Sequence, residues 1–326
     1  MKNKASIFLL LPFSFLLLMG CEVEFSPNAE YVETPVVYCI LDQDDDTTWA
    51  RVEKCFLEEG SIYNYGSQSE LYTYPLGTLR VSLVAFRNGR LVSSIDLSDT
   101  LCPRADGEFD NAMQPLFYTV APLDSTCMYK LEVRHADNDS LVASTDSIPL
   151  LVMTNEQLIT TPSYNQRFRF VNGTCKIAWN PMANARRYQP IVRFYYGEQG
   201  DTLHLDLFCS SESSGRNSTD YALQSFLNSV YVALKDDTNS KDYLKIVDIY
   251  LTACDENLHM YMNSVNSGNN LNQATDTYTN IHGGVGIFAA RRTHQYKSLD
   301  ADNSMNPITT SSPGLLAYLK DLGIGF

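Results

Sequence analysis

The residues able to do chemistry are scattered. His135, His204, His259, His282 and His294 are the five histidines; no two lie two to five positions apart, and none flanks a glutamate as H-E-x-x-H. That spacing excludes the helical zinc motif, in which two imidazoles one turn apart share a metal. No Gly-x-Ser-x-Gly occurs, so the strained elbow that presents a hydrolase serine is missing too. Gly283-Gly284-Val285-Gly286 has the glycine density of a phosphate-cradling loop. Such a loop follows a strand and opens a helix. Here Phe288 to Arg292 reads as strand, so the glycines predict a tight turn or bulge that lets backbones approach closely. No catalytic residue and no cofactor follows from these patterns.

Two clusters point to binding instead. Asp42, Asp44 and Asp46, with Asp45 between, stand where one apolar run ends and the next begins. Alternate carboxylates in a strand-to-strand loop supply oxygen ligands for a shallow calcium site. Thr47 stands where a helical calcium loop has glycine, so the loop is not of that type. The other reading of the run is a solvated turn that blunts an edge strand. Tyr63, Tyr65, Tyr72 and Tyr74 crowd into one loop-rich stretch with Gly66, Ser67 and Ser69. Tyrosine offers a flat face and a hydroxyl at small entropic cost, as a recognition loop needs; framework packing of a Tyr-rich sandwich is the alternative. Trp49 and Trp179 are the only tryptophans, and both read as strand residues, which weighs against a sugar platform built on tryptophan.

Residues 1–21 read MKNKASIFLLLPFSFLLLMGC. Lys2 and Lys4 precede an apolar run that is short and interrupted by Pro12, the pattern of a secretory signal rather than of a membrane span. Leu18-Met19-Gly20-Cys21 resembles a bacterial lipobox, in which the cysteine is acylated and becomes the new N-terminus. Several acyl chains on Cys21 predict stable anchoring. Glu22 and Glu24 resemble the surface-export signal of Bacteroidota lipoproteins; a solvated tether is the simpler reading. The other cysteines are Cys39, Cys55, Cys102, Cys127, Cys175, Cys209 and Cys254. An exported compartment permits disulfides, yet seven is odd and several sit in apolar runs, so at least one thiol stays unpaired within the chain. No C-x-x-C occurs, and no cysteine stands near a histidine at zinc spacing.

The elements that must position these residues are mostly strands. The 326 residues are 44% hydrophobic and 19% charged, with 20 Tyr and 15 Phe, a composition that builds packed cores. A net charge of −14 repels phosphate backbones and argues against nucleic acid as a partner. Pro35 to Leu41, Trp49 to Leu57, Leu79 to Phe86, Leu91 to Leu97 and Tyr129 to Arg134 read as short strands, with Asn88-Gly89 as a hairpin turn. Phe168 to Trp179, Arg187 to Tyr196, Thr202 to Phe208, Leu244 to Ala253 and Gly286 to Ala290 continue the pattern. A helical stripe from Tyr221 to Val230 takes Thr219 or Asp220 as its N-cap, and Asp255 to Met262 predicts a short helix. Residues 210–219 and 263–276 read as polar loops, and Pro313 to Leu322 as a tail helix. The expected fold is mainly β, with two β-sandwich domains in tandem and helical insertions in the second. The expected divisions are a signal peptide at 1–20, a tether at 21–30, and domains at 31–150 and 151–326.

Several pieces together resemble one family. They are Pro35-Val36-Val37-Tyr38-Cys39-Ile40-Leu41 after an acylated cysteine, Gly77-Thr78 before the Asn-Gly turn, and Tyr129-x-Leu131-x-Val133. Ala143-Ser144-Thr145, Trp179-Asn180-Pro181 with Arg187-Tyr188, and Thr279-Asn280-Ile281-His282-Gly283-Gly284-Val285-Gly286-Ile287-Phe288 complete the set. Their order and spacing are similar to the Bacteroidota lipoprotein family known as domain of unknown function 4249. Val285 stands where that family more often has leucine, and the segments near 219–233 and beyond 300 have no counterpart in it. The resemblance implies immunoglobulin- or fibronectin-III-like sandwiches and gene neighbours encoding TonB-dependent outer-membrane receptors. It implies no activity. The expectation is thus a non-enzymatic accessory lipoprotein of the outer membrane, exposed at the cell surface and acting with such a receptor in nutrient capture. A structural or adhesive surface protein without a transport partner is the alternative.

Overall fold

The computed structural model describes residues 31–57, 65–66, 68–104, 113–153, 159–161, 170, 173–213, 215–237, 239, 241–267 and 277–300. The first part of the chain is strands β1 (Pro35–Asp42), β2 (Thr48–Lys54), β3 (Leu79–Arg87), β4 (Arg90–Pro103), β5 (Met113–Thr119), β6 (Met128–His135), β7 (Leu141–Thr145) and β8 (Ile148–Pro149). One helical turn, α1 (Ser69–Tyr72), sits between β2 and β3. The β3–β4 hairpin turns at Asn88 (φ 51°) and Gly89 (φ 73°), both in the left-handed region that a type I′ turn demands. β4 is long enough to serve two layers. Its first half pairs with β3 and its second half with β5, so it crosses from one sheet face to the other. The layer of β1, β2 and β5 and the layer of β3, β6 and β7 thereby close over one core, which includes Val37, Leu41, Val52, Val81, Leu83 and Leu131.

The second part holds β9 (Val152–Met153), β10 (Ile159–Thr161), β11 (Thr174–Ala178), β12 (Met182–Ala183), β13 (Arg187–Glu198), β14 (Asp201–Phe208), β15 (Glu212–Ser213), β16 (Ser218–Ala222), α2 (Leu223–Leu234), β17 (Lys241–Cys254) and α3 (Glu256–Ser267). Strands β11 and β16, which form a sheet with β10, and the strands β14–β13–β17 share a second core with α2. Phe194, Phe226 and Tyr221 meet edge to face inside it, at ring separations of 5.8 and 6.3 Å. The architecture is mainly β: two sandwich cores in tandem, with helices in the second part.

β18 (Ile281–His282) and β19 (Val285–Asp300) finish the described chain. β19 pairs in parallel with β1, from Val36↔Val285 to Asp42↔Arg291, and antiparallel with β17, from Cys254↔Arg291 to Ile246↔Asp300. One hydrogen-bonded path therefore runs from β14 to β18. By chain position the division at 150 places residues 281–290 in the second unit, yet Ile281, Phe288 and Ala290 pack in the first core. β1 has an open side that needs a strand, and the end of the chain supplies it. The glycines make the approach possible. A Cβ at Gly284 would stand 2.5 Å from the Pro35 carbonyl oxygen, and one at Gly286 (φ +120°) 2.0 Å from that of Val37. Asn280 fixes the same crossing by donating to and accepting from the Phe288 backbone at 2.7 and 2.9 Å.

Several local expectations change. Thr219 and Asp220 are not helix caps; both lie in β16, paired with β11. The helix starts at Leu223, after Ala222 in an extended conformation and without a side-chain cap. Within 210–219 the chain forms β15 and the start of β16, because both find partners remote in sequence. Residues 263–267 belong to α3 rather than to a loop. β19 runs on to Asp300, well past Ala290. Trp179 lies directly after β11 and is buried. The tail segment 313–322 lies outside the described residues.

Candidate functional site

Two rings of the tyrosine stretch are turned inward. Tyr72 and Tyr74 are 4% and 7% exposed. The Tyr72 hydroxyl donates to the Gly66 carbonyl at 3.0 Å, and its ring lies against Phe56 and under the Arg104 guanidinium. Tyr74 donates to Glu33 Oε1 at 2.8 Å, and burial raises its phenol above the ordinary value. Tyr65 meets Phe56 edge to face at 6.2 Å. Of the two readings, these three rings take framework packing. Tyr63 and the lipidation candidate Cys21 lie outside the described residues.

The aspartate run meets arginines. Asp42, buried at the end of β1, accepts from Arg291 Nε at 3.1 Å, and Arg291 Nη2 reaches Asp45 at 3.3 Å. Arg292 holds Asp44 with two bonds, of 2.8 and 3.2 Å. The registered pair Asp42↔Arg291 brings these guanidiniums to the carboxylates from the far end of the chain. They fill with fixed positive charge the place that Asp42, Asp44 and Asp46 would offer a cation. Asp46 is exposed, and Glu53, twelfth when counted from Asp42, lies in β2 and pairs with Arg104. Among the described residues no group of three His, Cys, Asp or Glu is placed to hold a metal. Cys39, Cys55, Cys102, Cys127, Cys175, Cys209 and Cys254 are all free thiols.

The site that does emerge lies on the outer face of β1, β2 and β5. Alternation turns Val37, Cys39, Ala50 and Val52 inward, which leaves Tyr38, Ile40, Trp49 and Arg51 on the other face. Cross-strand register sets Tyr38 opposite Arg51 and Trp49 opposite Tyr118. The Arg51 guanidinium sits 4.7 Å from the Tyr38 ring centre, and the Trp49 indole packs on Tyr118 at 5.3 Å with 35° between planes. α3 closes one side: its Tyr261 meets Tyr38 edge to face at 6.2 Å. Burial, with the Tyr261 hydroxyl, pushes the Tyr38 phenol up to about 12, so it stays neutral. Between these walls is an open groove of about 340 Å³ lined by Tyr38, Trp49, Arg51, Gln114, Leu116 and Arg291, among others. Trp49 is 43% exposed. Gln114 Oε1 and Arg51 Nε are buried with no hydrogen-bond partner; the Glu53 carboxylate is 3.9 Å from Arg51 Nε. A second, mostly apolar hollow of about 320 Å³ lies between β13, β17 and α3, and Arg291 borders both.

Sequence reasoning passed over this groove. The available signal was the outward row of β2, where an exposed-face tryptophan and an arginine alternate with Ala50 and Val52. That Gln114, 65 positions from Trp49, completes the row depends on the β2–β5 pairing.

No protein-family model matches the chain, and no curated protein matches it. Among solved structures, a two-domain fibronectin type-III segment of chicken tenascin shares 7% identity, covering 82% of this chain and all of that one, with a TM-score of 0.20. The FN1–FN3 domains of chicken CNTN1 share 9% identity, covering 81% of this chain and 66% of that one, with a TM-score of 0.21. Scores this low carry no argument, and the mainly β fold rests on the strand pairing itself.

Proposed function

We propose that this chain is a lipid-anchored, non-enzymatic binding module of the bacterial outer membrane, exposed at the surface and acting beside a TonB-dependent receptor. The observation that carries the binding reading is the open groove on the face of β1, β2 and β5. Its aromatic and cationic side chains stand on paired strands, and such a scaffold holds a ligand without reorganising. The anchor rests on Leu18-Met19-Gly20-Cys21, surface exposure on Glu22 and Glu24, and the receptor on the family resemblance of the strand and glycine motifs. No helix of the described residues is long and apolar enough to cross a membrane. A lipid on Cys21 confines the module to two dimensions beside its receptor, so modest intrinsic affinity suffices.

The test is metabolic labelling with a palmitate analogue, followed by purification from detergent extracts. The wild type is expected to carry label and to bring a TonB-dependent receptor with it; Cys21→Ala loses the label and the membrane fraction. An unlabelled soluble product refutes the anchor. A labelled protein that repeatedly purifies without any receptor refutes the partnership and favours an adhesive role, in which gene deletion changes surface attachment and leaves nutrient uptake intact.

A further inference from the structure

The second hollow, between β13, β17 and α3, has a sheet face for its floor and a helix for its wall. Tyr188, Val192, Ile249 and Leu251 turn into the second core. Alternation therefore leaves Arg187, Gln189 and Ile191 of β13, with Thr252 and Cys254 of β17, on the opposite face. Register sets Phe208, Ile191 and Tyr250 in one row across the strands, and Arg187, Cys254 and Arg291 in another. Four positions of β13 separate the two rows, about 13 Å. α3 covers the neighbouring part of this face, where Leu258 packs with Ile287 and Ala289. Over β13 and β14 the described residues leave the face open, with apolar groups in it. Phe208 is 68% exposed, and Met262, on the flank of α3, 41%. A second helix beside the first completes such a layer, because a helix buries an apolar stripe on a sheet while its polar side stays in water. A strand would need an open edge, and β13 and β17 have neighbours on both sides.

β19 ends at Asp300, and residues 301–326 lie outside the described residues. Their sequence carries the pattern that the open face lacks. Leu315, Leu316, Tyr318, Leu319 and Leu322 fall at i, i+1, i+3, i+4 and i+7, on one side of a helix, and Lys320 and Asp321 fall on the other. Ser312 and Pro313 stand where a helix starts, and Gly323 where one stops. Pro313 to Leu322 makes a helix about 15 Å long, which matches the span of the rows. The reach is sufficient as well. Asp300 is registered with Ile246, nine positions along β19 from Arg291, or about 30 Å. Residues 301–312 extend to about 40 Å. A segment tethered this closely meets the hollow at an effective concentration of about 1 mM, ahead of any dilute partner.

We propose that Pro313 to Leu322 docks on this hollow of its own chain, as an amphipathic helix beside α3 whose leucine stripe covers Phe208, Ile191 and Met262. The proposal goes beyond the anchored-module reading and does not depend on it. The hollow, about 320 Å³, takes the side chains of one stripe and not a whole helix, so Lys320 and Asp321 remain in water. A ligand for the hollow first has to displace this segment.

The test compares two methionines of one helix. Met260 and Met262 are 42% and 41% exposed, and of the two only Met262 lines the hollow. Hydrogen peroxide transfers one oxygen atom to an accessible thioether and leaves water. The full chain in detergent is treated with dilute peroxide, and the sulfoxide at each methionine is followed by peptide mass spectrometry. Met262 is expected to oxidise several-fold more slowly than Met260. Leu319→Asp brings the two rates together, whereas Lys320→Ser, on the polar side, leaves the protection in place. An unchanged Met260 rate in each variant shows that α3 is still folded. A benzophenone amino acid at position 318 gives a second readout: light-induced crosslinks to the peptides of Phe208 or Met262 are expected. Equal oxidation of Met260 and Met262 in the wild type overturns the proposal, as do protection that survives Leu319→Asp and crosslinks found only elsewhere. Protection that grows with protein concentration assigns the hollow to a second copy and overturns docking within one chain.

Discussion

Replacing Gly286 with alanine sets a methyl carbon 2.0 Å from the Val37 carbonyl oxygen and 2.8 Å from its carbonyl carbon. Neither atom is the end of a flexible side chain: both belong to the backbone of β1, paired with β19 over seven registered positions. The residue also has φ +120°, where an L side chain is strained by about 1–3 kcal/mol. Relieving the clash requires β19 to move off β1, and overpacking of that kind adds about 1–3 kcal/mol. The sum, about 2–6 kcal/mol, is a large part of the roughly 5–15 kcal/mol that holds a protein folded. Gly77 supplies the control. Its φ is +77°, and nothing lies within 4 Å of an added Cβ, so Gly77→Ala carries the backbone strain without the collision. Urea unfolding followed through Trp49, which stands in β2, compares the two. Gly286→Ala is expected to lower stability at least about 1 kcal/mol further than Gly77→Ala, with earlier proteolysis after β18. Equal losses in the two variants would show that β19 does not press on β1 at that point, and the account of the glycine run would be wrong.

Arg292→Met leaves the Asp44 carboxylate without its two-bond partner. The pair is only partly buried, so the loss is expected at about 1–2 kcal/mol, and a cycle with Asp44→Asn should recover most of it; a coupling energy near zero would contradict the ion-paired corner. Asp255 accepts from the Leu258 N–H at the start of α3 at 2.9 Å, yet burial holds its carboxyl above the ordinary 3.8. A carboxyl with a raised folded pKa binds its proton more tightly folded than unfolded, so it adds stability as pH falls from neutral toward 3.8. The stability of wild type minus that of Asp255→Asn should therefore rise as pH falls from 7 to about 4, and a flat difference would refute the desolvation. Asp124, Glu132 and Asp206, held low by their hydrogen bonds, shift the opposite way and lose stability below their ordinary values. A thiol reagent should modify Cys55 first, then the half-buried Cys102. Cys39 and Cys209, pushed up to about 12 by burial, and Cys254, at about 11, should react only on unfolding. Retention of the fast phase in Cys55→Ser would overturn that order.

Local pattern alone makes most of the strands legible. Period-two alternation in β3, Asn88-Gly89 at its end, and the apolar run of β1 each report a nearest-neighbour preference of the backbone. The helices are legible in existence and misplaced in their boundaries, because β16 takes Thr219 and Asp220 by pairing with β11, where Asp220 meets Lys176. The tyrosines at 72 and 74 are ambiguous for the same reason. A ring between turn residues looks alike whether it packs inward or outward, and only the placement of Phe56, Arg104 and Glu33 decides.

What the chain by itself determined is its acidity, its β-rich composition and the close approach demanded by Gly283-Gly284-Val285-Gly286. Those are properties of residue type and short spacing. The tertiary structure alone decided that the approach is made to β1, that Arg291 and Arg292 occupy the aspartate corner, and that Trp49, Arg51 and Gln114 share one groove. Each of these joins segments whose separation along the chain exceeds any local period, and the parallel pairing of β1 with β19 spans almost the whole described length. Such contacts are chosen by burial and hydrogen-bond satisfaction over the entire core, a sum that no window of the sequence contains.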